Sequence, residues 1–194
     1  MHMVLRAGAL LAVAGALSGG LLIFVTDSPE SQLAGASIGK NNMTLSITSS
    51  AFESEGKIPS RYTCDDANVN PPLSISNVPD GAKSLVLIVE DPDVPTSIRP
   101  DGMWDHWLVF NIPPTTKVIL EGVEPSGIAG IGTGGSRGYH GPCPPDREHR
   151  YFFKLFALDT TLDLKEGATK QQILNAIHGR VLAETELIGK YARK

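Results

Sequence analysis

Residues 84–90 read SLVLIVE and residues 104–112 read WDHWLVFNI. The first is apolar without a break between Ser84 and Glu90 and has the length of a strand. A strand with no alternation has both faces covered, so this segment is expected at the centre of the fold. The second is also strand-like. Alternation along it puts Trp104, His106, Leu108 and Phe110 on one face and Asp105, Trp107, Val109 and Asn111 on the other. His106 is therefore expected on a buried, apolar face.

Working outward, Thr44–Ser49 alternates, with Leu45 and Ile47 against Thr44, Ser46 and Thr48. Leu73 and Ile75 alternate with Ser74 and Ser76, and Arg150–Leu158 is an aromatic-rich strand. Residues 53–72 and 77–81 carry turn chemistry. Only the C-terminal region has a helical period. Thr169 and Gln172 fit a capping box, and Ile173, Leu174, Ile177, Val181 and Leu182 form a stripe. Gly179 lies within that stripe at a cost of ~1 kcal/mol, so the helix is expected to be short or broken there. Strands first and a helix last, without βα alternation, predict a mostly antiparallel β-domain with a C-terminal α-helix.

Composition agrees. Twenty Gly and 14 Pro in 194 residues argue against a helical bundle, while 41% hydrophobic residues suffice for a core. Lys and Arg number 17 against 21 acidic residues, a net charge of −4, and no basic tract exists, which argues against nucleic acid as a partner. Two cysteines are too few for a disulfide framework. The N-terminus differs from the rest: Arg6 precedes an uncharged stretch from Ala7 to Thr26. A positive start and an apolar run near the ~20 residues of a membrane span read as a secretory signal or a membrane anchor. Residues 1–40 are thus expected to be leader and linker, and 41–194 one exported or membrane-anchored domain. Its only membrane contact is expected through residues 7–26.

Two short motifs carry no chemistry. Gly130-Ile-Gly132-Thr-Gly134-Gly135 matches G-x-G-x-x-G, and Gly134–Gly138 matches G-x-S-x-G. Both need a strand before and a helix after, and prolines at 142, 144 and 145 forbid the helix. The polar groups that a β core does not need lie elsewhere. Asp91-Pro92-Asp93-Val94-Pro95 leaves the most buried strand, and two prolines stiffen it. Gly141-Pro142-Cys143-Pro144-Pro145 is a second rigid loop, followed by His149 and Tyr151. Together with His106 these form a candidate pocket: two rigid loops, two inward histidines and aromatic walls.

DPDVP followed by WDHWLVFNIP resembles the phosphatidylethanolamine-binding protein family, in its prokaryotic Raf-kinase-inhibitor-like branch. YTCD leading to NPPL, GYHGPCPP with HRYFFKLFALD, and the C-terminal ATKQQILNAIHGRVLAETELIGKYARK agree with that branch. The resemblance runs from about Met43 to Arg193. It implies a β-sandwich with terminal helices and a small cavity for phosphate-type anions. By similarity Asp91 and Asp93 line the cavity, His106 reaches into it, Pro144 and Pro145 shape its rim, and His149 and Tyr151 complete its wall. Trp104 is expected beside the mouth, and Tyr191 is expected to close the pocket from the C-terminal side. No cofactor is implied. The implied partners are a small anion or phosphorylated headgroup, with protein kinases or proteases as a class of inhibited target. If the loops of Cys64 and Cys143 rim the same cavity, the two thiols are within reach of a disulfide; two separate thiols are the equal alternative.

Two carboxylates repel a phosphate unless protons are added, so anion affinity is expected to rise as pH falls from about 7 toward 5, near the ~6.5 reference for histidine. Three functions compete. The leading one is a non-catalytic binding and regulatory protein. The second is a metal-dependent hydrolase using Asp91, Asp93, His106 and His149, although no metal-ligand spacing is present. The third is a purely structural envelope protein. His140 and His178 are read as surface residues without a role.

Overall fold

The computed structural model describes residues 44–193; the apolar segment 7–26 and the rest of the expected leader lie outside the described residues. Among the described residues nine strands and one α-helix follow in chain order: β1 (Ser46–Ser49), β2 (Gly56–Lys57), β3 (Leu73–Ser76), β4 (Ser84–Asp91), β5 (Trp104–Ile112), β6 (Val118–Ile119), β7 (Ile128–Ala129), β8 (His149–Leu158), α1 (Lys170–Ile177) and β9 (Val181–Tyr191). A single 3₁₀ turn spans Ser60–Tyr62. The strands form a three-stranded sheet, β1-β3-β6, and a six-stranded sheet, β2-β9-β8-β4-β5-β7. Every pairing is antiparallel except β2 with β9, so the larger sheet is mixed.

β4 sits between β8 and β5 and is buried at all eight positions. Its two faces feed two cores. Leu85, Leu87 and Val89 join Ile47, Ile75, Trp107, Phe153 and Leu155 between the sheets. Val86 and Ile88 join Leu108, Phe110, Ile173 and Ile177 under α1. The unbroken run 84–90 is therefore read correctly: its residues alternate between two apolar layers rather than between core and water.

β5 departs from simple alternation twice. Leu85 pairs with Ile112 and Leu87 with Val109, so one β4 residue opposes two on β5, Phe110 and Asn111. Asn111 takes the left-handed conformation, φ 56°, which asparagine tolerates. Its side chain clasps the Leu162 backbone, accepting from its N–H at 2.8 Å and donating to its carbonyl at 2.9 Å. The second departure lies at His106. Val89 pairs with Trp107 but Glu90 with Asp105, leaving His106 as the extra residue of a bulge.

The helix starts where the sequence places it and is broken before Gly179 as expected, but the apolar stripe beyond that break is not helical. Thr169 and Gln172 form the expected capping box. The helix stops at Ile177, Gly179 takes φ 72°, and the chain returns as β9, an eleven-residue strand beside β8. Val181 and Leu182, expected on the helical stripe, are instead strand residues with 39% and 45% exposure. The helix is thus the penultimate element rather than the C-terminal one. β9 carries a period of two, with Leu187, Gly189 and Tyr191 inward and Glu184, Glu186 and Lys190 outward, which the helical reading of 173–182 obscured.

Candidate functional site

The loops leaving β4 and entering β8 meet at one end of the large sheet around a cavity of about 230 Å³. Its polar lining is Asp91, His106, His140 and His149. Val94, Ile98, Trp104, Pro145 and Cys143 supply the remainder.

The bulge aims His106. Trp107 packs between the sheets, whereas Asp105 faces α1 and pairs with Lys170, so the facing of β5 reverses across His106. His106 does not join Leu108 and Phe110 on the helix side, as strict alternation requires. It meets Tyr151 of the inter-sheet core edge-on, with ring centroids 5.3 Å apart. The His140 N–H donates to the His106 carbonyl at 3.0 Å, and the His106 Nδ1 donates to the His140 carbonyl at 2.7 Å. A carbonyl can only accept, so Nδ1 carries the hydrogen and Nε2, in the neutral ring, is an acceptor. Burial pushes His106 down to about 4, against the opposing effect of its bond to His140. The ring is therefore neutral between pH 5 and 7. Of the groups that could take up a proton in that window, His106 is therefore not one, and the reason is desolvation.

Asp91 closes β4 and is 3% exposed. Its Oδ1 accepts the Asp93 N–H at 2.8 Å, and its Oδ2 lies 2.7 Å from His149 Nδ1. Burial raises the Asp91 pKa above the usual carboxylate value, and the bond to His149 only partly offsets this. His149 is fully buried and has a second carboxylate at its other nitrogen, with Asp146 Oδ1 2.8 Å from Nε2. Both ring nitrogens of His149 are thus taken up by carboxyl groups.

Asp93 turns away from the cavity. Arg150 donates to it from Nε and Nη2, each at 2.8 Å, and from its backbone N–H at 3.0 Å. The guanidinium holds the Asp93 carboxyl down at about 2. The loop that carries Cys143 is laced to residues 62–68. Tyr139 Oη donates to the Tyr62 carbonyl at 2.7 Å, the Gly141 N–H to Asn68 Oδ1 at 2.8 Å, and the Cys64 N–H to the Pro142 carbonyl at 3.1 Å. Only glycine fits at 141: a Cβ would overlap the Tyr62 carbonyl oxygen and lie 2.6 Å from Asn68 Oδ1. A disulfide joins Cys64 to Cys143, Cα atoms 5.4 Å apart, and so ties the cavity rim to that neighbouring loop.

The structure thus brings Asp91, Trp104, His106, Pro145 and His149 to the cavity. Four sequence-derived positions do not reach it. Asp93 is held by Arg150, and Pro144 borders a separate depression with Arg147 and Arg193. Tyr151 lies behind His106, 1% exposed, with a buried hydroxyl that has no partner among the described residues. Tyr191 donates to Asp65 Oδ2 at 2.7 Å and packs in the inter-sheet core opposite His149. His140, read as a surface residue, lines the cavity and orients His106; no local periodicity marks it within the glycine-rich loop. Val94 and Ile98 were also missed, and only their place in the loop after Asp91 points to them. Of the four side chains of the hydrolase reading, Asp91, His106 and His149 line the cavity and Asp93 does not. Among the described residues, no cluster of three His, Cys, Asp or Glu is arranged to hold a metal ion.

Residues 48–192 match the family model described as phosphatidylethanolamine-binding protein. A UPF0098 protein of Chlamydia trachomatis is 48% identical over 149 residues, covering 77% of this chain and 99% of that protein. A UPF0098 protein of Methanothermobacter thermautotrophicus is 48% identical over 155 residues, with coverage of 77% and 99%. Among solved structures, a phosphatidylethanolamine-binding protein homologue from Chlamydia trachomatis superposes with a TM-score of 0.76 at 48% identity, covering 78% of this chain and 99% of the other. YbcL of E. coli superposes with a TM-score of 0.70 at 28% identity, covering 77% and 99%.

Proposed function

The chain belongs to the phosphatidylethanolamine-binding protein family, and from that premise we propose that it is a non-catalytic binding protein whose cavity takes a small phosphate-type headgroup in its hydrogen-bearing form. The observation that carries this reading is the commitment of His106 Nδ1 to the His140 carbonyl. Neutral His106 then offers the cavity an acceptor, as does the carboxylate of Asp91. His149 has already directed both ring nitrogens at Asp91 and Asp146. Acceptors repel a bare dianion and bind a group that brings its own donor. A phosphomonoester monoanion does so through its P–OH, and a phospholipid headgroup through its hydroxyl or ammonium. The apolar rim of Val94, Ile98 and Trp104 suits the carbon chain next to such a head.

The test is methyl phosphate binding followed by ³¹P line broadening, with wild type and His106→Phe compared at about pH 6, near the second pKa of a phosphomonoester. The wild type is expected to bind, and the variant to lose at least about tenfold in affinity, the ~1.4 kcal/mol of one charge-assisted hydrogen bond. Equal binding by His106→Phe would sink the reading.

A further inference from the structure

β9 presents an open edge. Its pairing with β2 covers only Gly189 and Lys190, and among the described residues no strand ladders with 182–187 on that side. The direction of the free groups follows from two bonds at the covered end: the Ile188 carbonyl accepts the Glu55 N–H at 2.7 Å, and the Lys190 carbonyl accepts the Ile58 N–H at 2.8 Å. In a strand the N–H and C=O of one residue share a side, and the side alternates. Even-numbered residues of β9 on the near side of its bulge therefore face the edge, so Glu184 and Glu186 display their backbone donors and acceptors outward. Their side chains are exposed as well. Their side chains border a groove of about 390 Å³ on the sheet face over β8 and β9, with Lys154, Phe156 and Thr185.

We propose that this edge docks an extended peptide with basic side chains at alternate positions, added as a further strand beside β9. Charge selects the occupant. Glu184 and Glu186 have no ion-pair partner among the described residues, and the nearby Lys154 ammonium is occupied by Glu90 at 2.6 Å. A second copy of the chain is disfavoured, because antiparallel self-pairing about residue 184 sets Glu184 against its own copy, and pairing about residue 185 sets Glu184 against Glu186 of the copy. An added strand satisfies the open backbone groups and sets Lys or Arg against the two glutamates. The surface is separate from the cavity: none of its lining residues is shared.

The experiment uses the full chain and a fluorescent, N-acetylated heptapeptide alternating Val and Lys, read by anisotropy. Binding is expected, weakening at least tenfold in Glu184→Pro, which removes an edge-facing N–H and leaves the β8 ladder intact. The same loss is expected for E184K/E186K, and for a peptide N-methylated at alternate residues, which needs no change in the protein. Excess methyl phosphate should not compete. Equal affinity for the N-methylated peptide, or no loss in Glu184→Pro, would reduce the contact to charge adsorption and overturn the proposal. Absence of binding would overturn it too.

Discussion

His106 is buried, neutral and attached to its own strand partner loop through a carbonyl. A histidine of that kind has a thermodynamic signature. Its folded-state value of about 4 lies below the ordinary 6.5, so between those values the unfolded chain binds a proton that the folded chain refuses. Its contribution to stability is fully present above pH ~6.5 and is lost as pH falls toward 4, up to about 3 kcal/mol. Asp91, raised by burial, acts in the opposite sense: the folded state holds its proton to higher pH than the unfolded chain does. The net decline below pH 6.5 is expected to be steep in wild type and visibly shallower in His106→Phe, measured as Tm across that range. Parallel curves for the two proteins would remove desolvated His106 as the cause. The sequence made residue type and neighbourhood legible here, because DPDVP and the histidines stand out against an apolar background. It did not reveal protonation, which depends on a carbonyl 34 residues away. Nor did it reveal that Arg150 withdraws Asp93 from the cavity, since that ion pair crosses 57 residues.

At the level of elements, the apolar run of β4 was readable because burial on both faces abolishes alternation. The bulges of β5 were not, because an extra residue is a property of two paired strands and leaves no mark on one. β9 was mistaken for a continuation of the helix because Val181 and Leu182 keep the helical spacing after Ile177. The two assignments predict different energetics. In β9, Leu187 is 3% exposed within the inter-sheet core and Leu182 is 45% exposed. Leu187→Ala is expected to cost about 2–5 kcal/mol. Leu182→Ala is expected to stay within about 0.5 kcal/mol of wild type. Urea denaturation of both variants checks this; a reversed order would restore the helical stripe.

At the scale of the molecule, the sandwich places a dry core on each side of the large sheet and gathers its polar groups at one end. The ion network of Glu90, Lys154, Lys170 and Asp105 lies on the helix side, next to the cavity floor but facing away from it. Burial raises the Glu90 carboxyl, and the two ammonium groups outweigh that and hold it below its usual range. That network anchors α1 to the sheet and leaves Asp91, His106 and His149 as the charged and titratable floor of the cavity, with His140 at its side. Everything proposed for the cavity rests on its being acceptor-rich at neutral pH. The most direct test is calorimetric titration with methyl phosphate and methyl sulfate at about pH 5.5 and pH 7.5, on either side of the second phosphate pKa of ~6. Methyl phosphate is expected to bind several-fold more tightly at the lower pH, where it carries a hydrogen, and methyl sulfate, which carries none, is expected to bind at neither. Methyl sulfate binding that strengthens equally as pH falls would show that the cavity, not the ligand, takes up the proton, and would contradict the account.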